Sequence, residues 1–414
     1  MATTSSPRHS HLVAALGWVA GAAILAAFLA FSLNFRWSEE REDPYAGDFP
    51  HEYAGGWIVR AGDPSRLYDQ RYFFDVTHDP AVVGFRWRTD AFLLPLYPPF
   101  YYLWCVPLSW LDYRSAAHLF TVLTVAALIA STVLIADLDR KARGALGWWV
   151  SASLCYPPVI ESLTGGQKGT VFLLLFAITY RLLARRQLFV AGAVFGLAAV
   201  KPQLMLVLLL VMLVQREWRF VAGLAATGVV LGVQSLIVGW KPSLDWVDSM
   251  LHPWAHTVMV TRSHNWLGFA RLLLGEYSGP AVLGLWLSLL AATGIVLWRV
   301  LGRRLEYESR RFRIQFAAIV LATPLVSPHL YTYDLAILVL PLILLALAMP
   351  EGAVARRSWL LALGLVFLMG GASPRIAALI PLQFSSLASF AMLLVLLRFA
   401  PAESPRPAGA QAPA

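Results

Sequence analysis

Asp48 stands in the run Asp48-Phe49-Pro50-His51-Glu52-Tyr53-Ala54-Gly55-Gly56, where a carboxylate is followed at once by a proline that can start a helix. An acid held rigidly against the first turn of such a helix could serve as a general base. The ordinary alternative is a helix N-cap, since Asp is favoured there. Ten other acids share the stretch 34–90, with Asp43 and Glu52 the nearest rivals.

Two further groups interrupt apolar sequence. Lys201-Pro202-Gln203 puts an ammonium between two apolar half-segments, and such a charge usually faces a cavity, a partner or an anionic substrate. A lysine snorkelling from the end of a short helix is the alternative. Ser327-Pro328-His329 and Tyr331-Thr332-Tyr333-Asp334 break another apolar region. The His could bind phosphate and the Asp could orient a hydroxyl, or the stretch could be a polar turn. Gly165-Gly166-Gln167-Lys168-Gly169 has the glycines of a phosphate loop but lacks the Gly-Lys-Ser/Thr ending and a strand-to-helix setting, so nucleotide binding is not indicated. His252, His256 and His264 have no carboxylate or close His pair to complete a metal set, and Trp254 and Trp266 beside them suit an interfacial segment. Cys105 and Cys155 sit in apolar runs and supply neither a disulfide framework nor a thiolate metal site.

The elements that must position these groups belong in a membrane. Of 414 residues, 58% are hydrophobic and 14% charged, against about 25% charged in soluble proteins, and mean hydropathy is +0.62. At about 20 apolar residues per crossing, the chain has room for about a dozen helices and one sizeable loop, which excludes a single-anchor protein. The net charge of +9 fits basic inner loops facing anionic lipid and does not imply nucleic acid.

Residues 1–11 read as a disordered cytoplasmic tail and 12–33 as a first transmembrane helix, too long for the core of a signal peptide. Residues 34–90 read as an outer catalytic loop, since they hold 18 of the 57 charged residues, 11 of them acidic. Two short surface helices are expected there, at 50–61 and 65–74. Residues 91–399 form a multi-helix transmembrane domain, followed by a disordered tail at 400–414. The fold class is therefore an all-α polytopic membrane protein of about 12 transmembrane helices (11 to 13). The count rises to thirteen if 188–214 is two short helices hinged at Lys201-Pro202. Arg299, Arg303, Arg304, Arg310, Arg311 and Arg313 mark one inner loop, which sends 252–275 and 327–334 outside. Prolines 95, 98, 99, 107, 157, 158, 202, 324 and 328 predict broken helices around a cavity, because a freed carbonyl survives in lipid only where protein or water satisfies it.

Several stretches in order resemble one family: Asp48-Phe49 to Tyr53-Ala54-Gly55, Ala61-Gly62-Asp63-Pro64 to Leu67-Tyr68-Asp69, Leu96-Tyr97-Pro98-Pro99-Phe100, Gly165 or Gly166 with Gln167, Gly196-Leu197 to Lys201-Pro202-Gln203, Asn265 to Leu272, and Ser327-Pro328-His329 to Tyr333-Asp334. Across residues 12–345 they are similar to glycosyltransferase family 87, bacterial membrane enzymes related to polyprenol-phosphate-mannose-dependent mannosyltransferases. The resemblance implies a GT-C fold whose first outer loop carries a catalytic acid, and a sugar donor linked to a polyprenyl monophosphate. Asp48 matches that acid and His329 the second polar site. Tyr53, Gln167, Gln203, Asn265 and Asp334 join Lys201, His329 and Arg262 as candidate donor-phosphate or substrate-binding residues. Val200 stands where many members have an aromatic residue before Lys-Pro-Gln.

The reaction so implied moves a hexose, with mannose the leading candidate, to a lipid or glycan acceptor at the outer face of the bacterial cytoplasmic (inner) membrane. Asp48 would take the acceptor proton in a single inverting displacement. Lys201, His329 or Arg262 would stabilise the departing phosphate. The partners are then the polyprenyl-phosphate sugar, the acceptor and membrane lipids, without nucleic acid. No cofactor or tightly bound divalent ion is expected, although metal assistance stays open. The alternatives are a secondary transporter or lipid flippase, which would share the helices and Lys201, and a non-catalytic scaffolding subunit.

Overall fold

The computed structural model describes residues 7–30, 47–85, 94–251, 259–275, 279–350 and 352–399. Asp43, His252, His256, Trp254 and both predicted disordered tails, apart from the helical residues 7–11, lie outside the described residues. Among the described residues every regular element is helical, and the one extended contact is an isolated antiparallel bridge between Ser263 and Tyr331.

Four helices are long and apolar enough to cross a bilayer: Tyr113–Ala136, Trp218–Val238, Pro280–Leu301 and Ala353–Ala377. Five shorter apolar helical stretches accompany them, Ala14–Ala30, Gly169–Ala184, Leu188–Val200, Thr332–Leu347 and Phe384–Leu397. The chain is thus a multi-pass membrane protein, and several segments expected to cross as single helices are broken. The proline-rich stretch 94–111 holds the helix Pro99–Cys105 followed by the 3-10 turn Val106–Trp110. The segment 146–162 divides into Leu146–Leu154 and Pro157–Thr164, because the residue before a proline is pushed away from helical geometry. For the same reason 188–214 opens at Lys201 (φ −129°, ψ 79°) into 3-10 turns Leu197–Val200 and Pro202–Leu204 between the helices Leu188–Gly196 and Leu206–Val214. This is the hinged form of that segment.

The first loop helix runs Phe49–Ala61, close to expectation, but it does not lie on the surface. Phe49 to Gly56 and Ile58 are buried. A Cβ on Gly55 would fall 2.0 Å from the Tyr102 ring, and one on Gly56 2.6 Å from the Cys105 carbonyl. The two glycines therefore let this helix sink against Pro99–Cys105, where a larger side chain would hold it off. The second helix begins later than expected, at Gln70–His78, because Asp69 caps it by accepting from the Tyr72 amide at 3.1 Å. A 3-10 turn at Pro64–Arg66 precedes it.

The helix Gly169–Ala184 runs through the interior and leans on Tyr113–Ala136, where the Thr170 hydroxyl donates to the Thr124 carbonyl at 2.8 Å. Its first residue meets the 3-10 turn Thr332–Leu338 so closely that a Cβ on Gly169 would lie 2.3 Å from the Tyr333 carbonyl. That close approach brings the Gly165–Lys168 loop and the Tyr331–Asp334 turn to one place.

Candidate active site

Asp48 occupies the N-cap position of Phe49–Ala61, yet its side chain makes no capping hydrogen bond. Its amide donates to the Gly165 carbonyl at 2.9 Å. Gly47 supplies the tight entry, with φ +58° and no room for a Cβ beside Gly165. The half-buried Asp48 carboxylate instead accepts from Gln167 Nε2 through Oδ2, at 2.5 Å. The loop that carries Gln167 is itself fixed: Gly166 turns it at φ +63°, and the Gln167 amide donates to Ser162 O at 2.9 Å.

One helical turn beyond Asp48, Glu52 forms a buried ion pair with Lys168 through Oε1. The Lys168 ammonium also lies 3.9 Å from the centre of the Tyr97 ring and 4.9 Å from that of Tyr101. Glu52 Oε2 is buried without a hydrogen-bond partner among the described residues. His51, on the same helix, places Nε2 2.7 Å from Leu94 O and 2.9 Å from the Tyr102 hydroxyl. Burial, helped by Lys168, pushes its imidazole down to about 3, so it is neutral at ordinary pH.

Across the site, Lys201 Nζ reaches Asp334 Oδ1 at 2.5 Å with both side chains buried. Gln203 Nε2 donates to the His329 carbonyl at 3.5 Å, joining the same two chain segments a second time. Asp334 Oδ2 in turn accepts from the Tyr331 amide at 3.3 Å. Arg262, half exposed, pairs with Glu161 at the end of another helix.

These pieces share one electrostatic field. Burial raises the Asp48 carboxyl above its usual range, while the Gln167 hydrogen bond and then Lys168, Lys201 and Arg262 pull against that rise. Each of the three cations has its own carboxylate partner: Glu52, Asp334 and Glu161 in turn. Asp48 therefore sits among positive groups that are separately neutralised. An acid with a raised pKa takes up a proton more readily than an exposed one, which suits a base.

The predicted residues divide accordingly. Asp48 and Gln167 meet directly; Lys201 and Asp334 meet as a second pair, which Gln203 joins to the His329 main-chain carbonyl while the His329 ring lies 4.8 Å from that of Tyr331; Arg262 reaches Asp48 through its field. Tyr53 does not join them: its hydroxyl donates to the Leu111 carbonyl at 2.7 Å, and its ring packs with Phe49 and Tyr113. Asn265 caps Trp266–Leu274 by accepting from the Gly268 amide, so its visible task is local. His264 is buried between the hydroxyls of Ser385 and Thr332. Among the described residues, no three His, Cys, Asp or Glu side chains cluster so as to hold a metal ion.

Lys168 and the aromatic rings around it were not foreseen as functional. The signal was present in two places: Glu52 falls four residues after Asp48, on the same helical face, and Lys168 follows Gln167 in a glycine-flanked loop.

The family model of glycosyltransferase family 87 matches residues 96–328, more than half of the chain. Gln167, Lys168, Lys201, Gln203 and Arg262 lie inside that span; Asp48 and Glu52 precede it, and His329 and Asp334 follow it directly. No curated protein matches the chain. Among solved structures, the crystal structure of ArnT from Cupriavidus metallidurans in the apo state is similar, with a TM-score of 0.40 and 15% identity over 93% of this chain and 76% of that one.

Proposed function

The chain belongs to glycosyltransferase family 87, and from that premise we propose that it transfers a hexose, with mannose first in line, from a polyprenyl-phosphate donor to a lipid or glycan acceptor. The family makes it a membrane glycosyltransferase, which leaves the transporter and scaffold readings without support. On this proposal the enzyme has a GT-C arrangement of about twelve crossings, works at the outer face of a bacterial cytoplasmic membrane and needs no bound metal.

The observation that carries the reading is Asp48: a half-buried carboxylate, fixed through one oxygen by Gln167 and acted on by Lys168, Lys201 and Arg262. A lipid-linked donor keeps its chain in the bilayer and brings its phosphate to the surface, so the base must stand beside groups able to receive an anion. Asp48 Oδ1 takes the proton of the acceptor hydroxyl as that oxygen attacks the anomeric carbon. The bond to the phosphate oxygen breaks on the opposite face, and the sugar is inverted. Arg262, half exposed, is the cation best placed to meet the phosphate first. Lys201 lies deeper, buried against Asp334, with His329 on the segment that leads into the Asp334 turn, and preorganised positive charge on the leaving-group side would stabilise developing charge more strongly than water would.

The direct test incubates purified protein with several polyprenyl-phosphate sugars and a cell-envelope lipid extract, and identifies products by mass spectrometry. A glycosylated lipid or glycan, formed from one such donor and absent with Asp48→Asn, is the expected result. Transfer from a nucleotide sugar alone would overturn the donor assignment.

A further inference from the structure

We propose that the buried Glu52–Lys168 ion pair is a positioning device for Asp48: it locks the Gly165–Lys168 loop onto the first turns of Phe49–Ala61, so that Gln167 holds one carboxylate oxygen and the other is left for the acceptor proton. This rests on Asp48 being the base proposed above.

Three ties join the two elements: the Asp48 amide to Gly165 O, Gln167 to Asp48 Oδ2, and Lys168 to Glu52 Oε1. Asp48 and Glu52 are four residues apart on one helical face, and Gln167 and Lys168 are consecutive, so the ionic tie and the tie to the base act as a pair. The Gly165 and Gln167 hydrogen bonds both end on Asp48, at the very start of the helix, whereas the Lys168 tie reaches Glu52 one turn further on. That third tie fixes the loop along the helix as well as at its end. A buried ion pair is a poor device for stability alone, because well-packed apolar residues serve as well. What it adds is a fixed position and a fixed charge. Lys168 would by itself make Asp48 a weaker base, and the Glu52 carboxylate one turn away opposes that field.

The groups facing the pair are Asp48, neutral His51, Tyr97, Tyr101 and Cys105. Those facing Asp48 are Gln167, Glu52, Lys168, Lys201, Arg262 and Tyr333. Of these, only Glu52 and Lys168 change in the test below.

Infrared difference titration of the purified full chain reads the Asp48 carboxyl band, assigned by its loss in Asp48→Asn. Glu52→Gln strands a cation beside Asp48 and should move its titration down by about one pH unit. Lys168→Met removes that cation, lets Glu52 take a proton, and should move it up by about as much. In Glu52→Gln/Lys168→Met no charge is stranded, and the titration should return towards the parental value. Transfer assays in parallel should show kcat falling in both single variants, with the donor KM little changed.

Shifts in the same direction, or none, would overturn the proposal, and so would a parental kcat above the acid limb in both single variants, because a pair that acts on Asp48 by charge alone moves its titration but leaves the Gln167 loop and the limiting rate in place. Glu52→Gln keeps an acceptor for Lys168, so its downward shift decides the matter if Lys168→Met fails to reach the membrane. The infrared band reports on Asp48 whatever the chain transfers. Full activity in Asp48→Asn would therefore remove the catalytic reading while the titration still judged the ion pair.

Discussion

Gln167 donates from Nε2 to Asp48 Oδ2 across 119 residues of sequence, and this bond replaces the helix-capping contact that Asp48 could have made with its own backbone. Asparagine at 48 keeps the size of the side chain and one acceptor oxygen for Gln167 but cannot take a proton. Asp48→Asn should therefore insert and melt like the parent while losing about 100-fold to 10,000-fold in transfer rate. Asp43→Asn should be far milder. Rate measurement and detergent-solubilised melting on the same preparations check both halves, and unchanged transfer would remove Asp48 from the role.

The pH dependence follows from the same carboxylate. Burial raises its pKa above the usual value near 3.8, and a base works only when deprotonated. The acid limb of kcat/KM should thus lie above the ordinary Asp range, with activity lost as pH falls through the raised pKa. Gln167→Leu removes the hydrogen bond that lowers that pKa and should move the limb higher still. A limb at or below the ordinary value in the parent would contradict the burial argument.

Sequence made much of this arrangement legible, for identifiable reasons. Asp48 stood out because a proline-led helix follows it, and Lys201 because a charge in apolar sequence is costly. Pro202 left two readings of 188–214 open, one helix or two hinged at Lys201-Pro202, and the structure takes the hinged one. The partners of these groups were not legible: Gln167 with Asp48 and Asp334 with Lys201 depend on long-range contacts that no local period encodes. Glu52 was weighed only as a rival base, and its pairing with Lys168 was not legible for a similar reason, since neither charge points to the other until the loop is placed opposite the helix. The burial of Phe49–Ala61 was missed because a charged loop suggests a surface, whereas Gly55 and Gly56 remove the bulk that would have kept the helix there.

Metal dependence has a simple check. The proposed reaction expels a single phosphate, and paired cations already surround Asp48. Prolonged EDTA treatment followed by assay in chelator should leave transfer within about twofold of the untreated enzyme. A loss restored by Mg²⁺, Mn²⁺ or Zn²⁺ would require a metal in the mechanism.

Gly169 tests whether the two halves of the site must touch. A Cβ there would lie 2.3 Å from the Tyr333 carbonyl and 2.8 Å from the Ser162 hydroxyl, so the backbone must shift. Gly169→Ala should push the Tyr331–Asp334 turn away from the Gln167 loop, costing about 1–3 kcal/mol of stability and a larger share of activity. Gly228→Ala meets nothing within 4 Å and should be neutral or slightly stabilising. Equal melting and equal rates in the two variants would show that this contact does not assemble the site.

Lys201 and Asp334 separate the structural role of an ion pair from a substrate role. Both side chains are buried, so Lys201→Met alone strands a carboxylate, a change that typically costs about 3–5 kcal/mol. Lowered activity in that variant would therefore be uninformative by itself. Lys201→Met/Asp334→Asn strands no charge, and Asn keeps an oxygen for the Tyr331 amide that Asp334 now accepts. The double variant should recover most of the melting temperature. If Lys201 also meets the donor phosphate, the donor KM should stay raised or kcat stay low, with the acceptor KM nearly parental, because only leaving-group charge has been lost. Recovery of stability and donor kinetics together would make the pair a structural tie and leave Arg262 and His329 as the phosphate-binding groups.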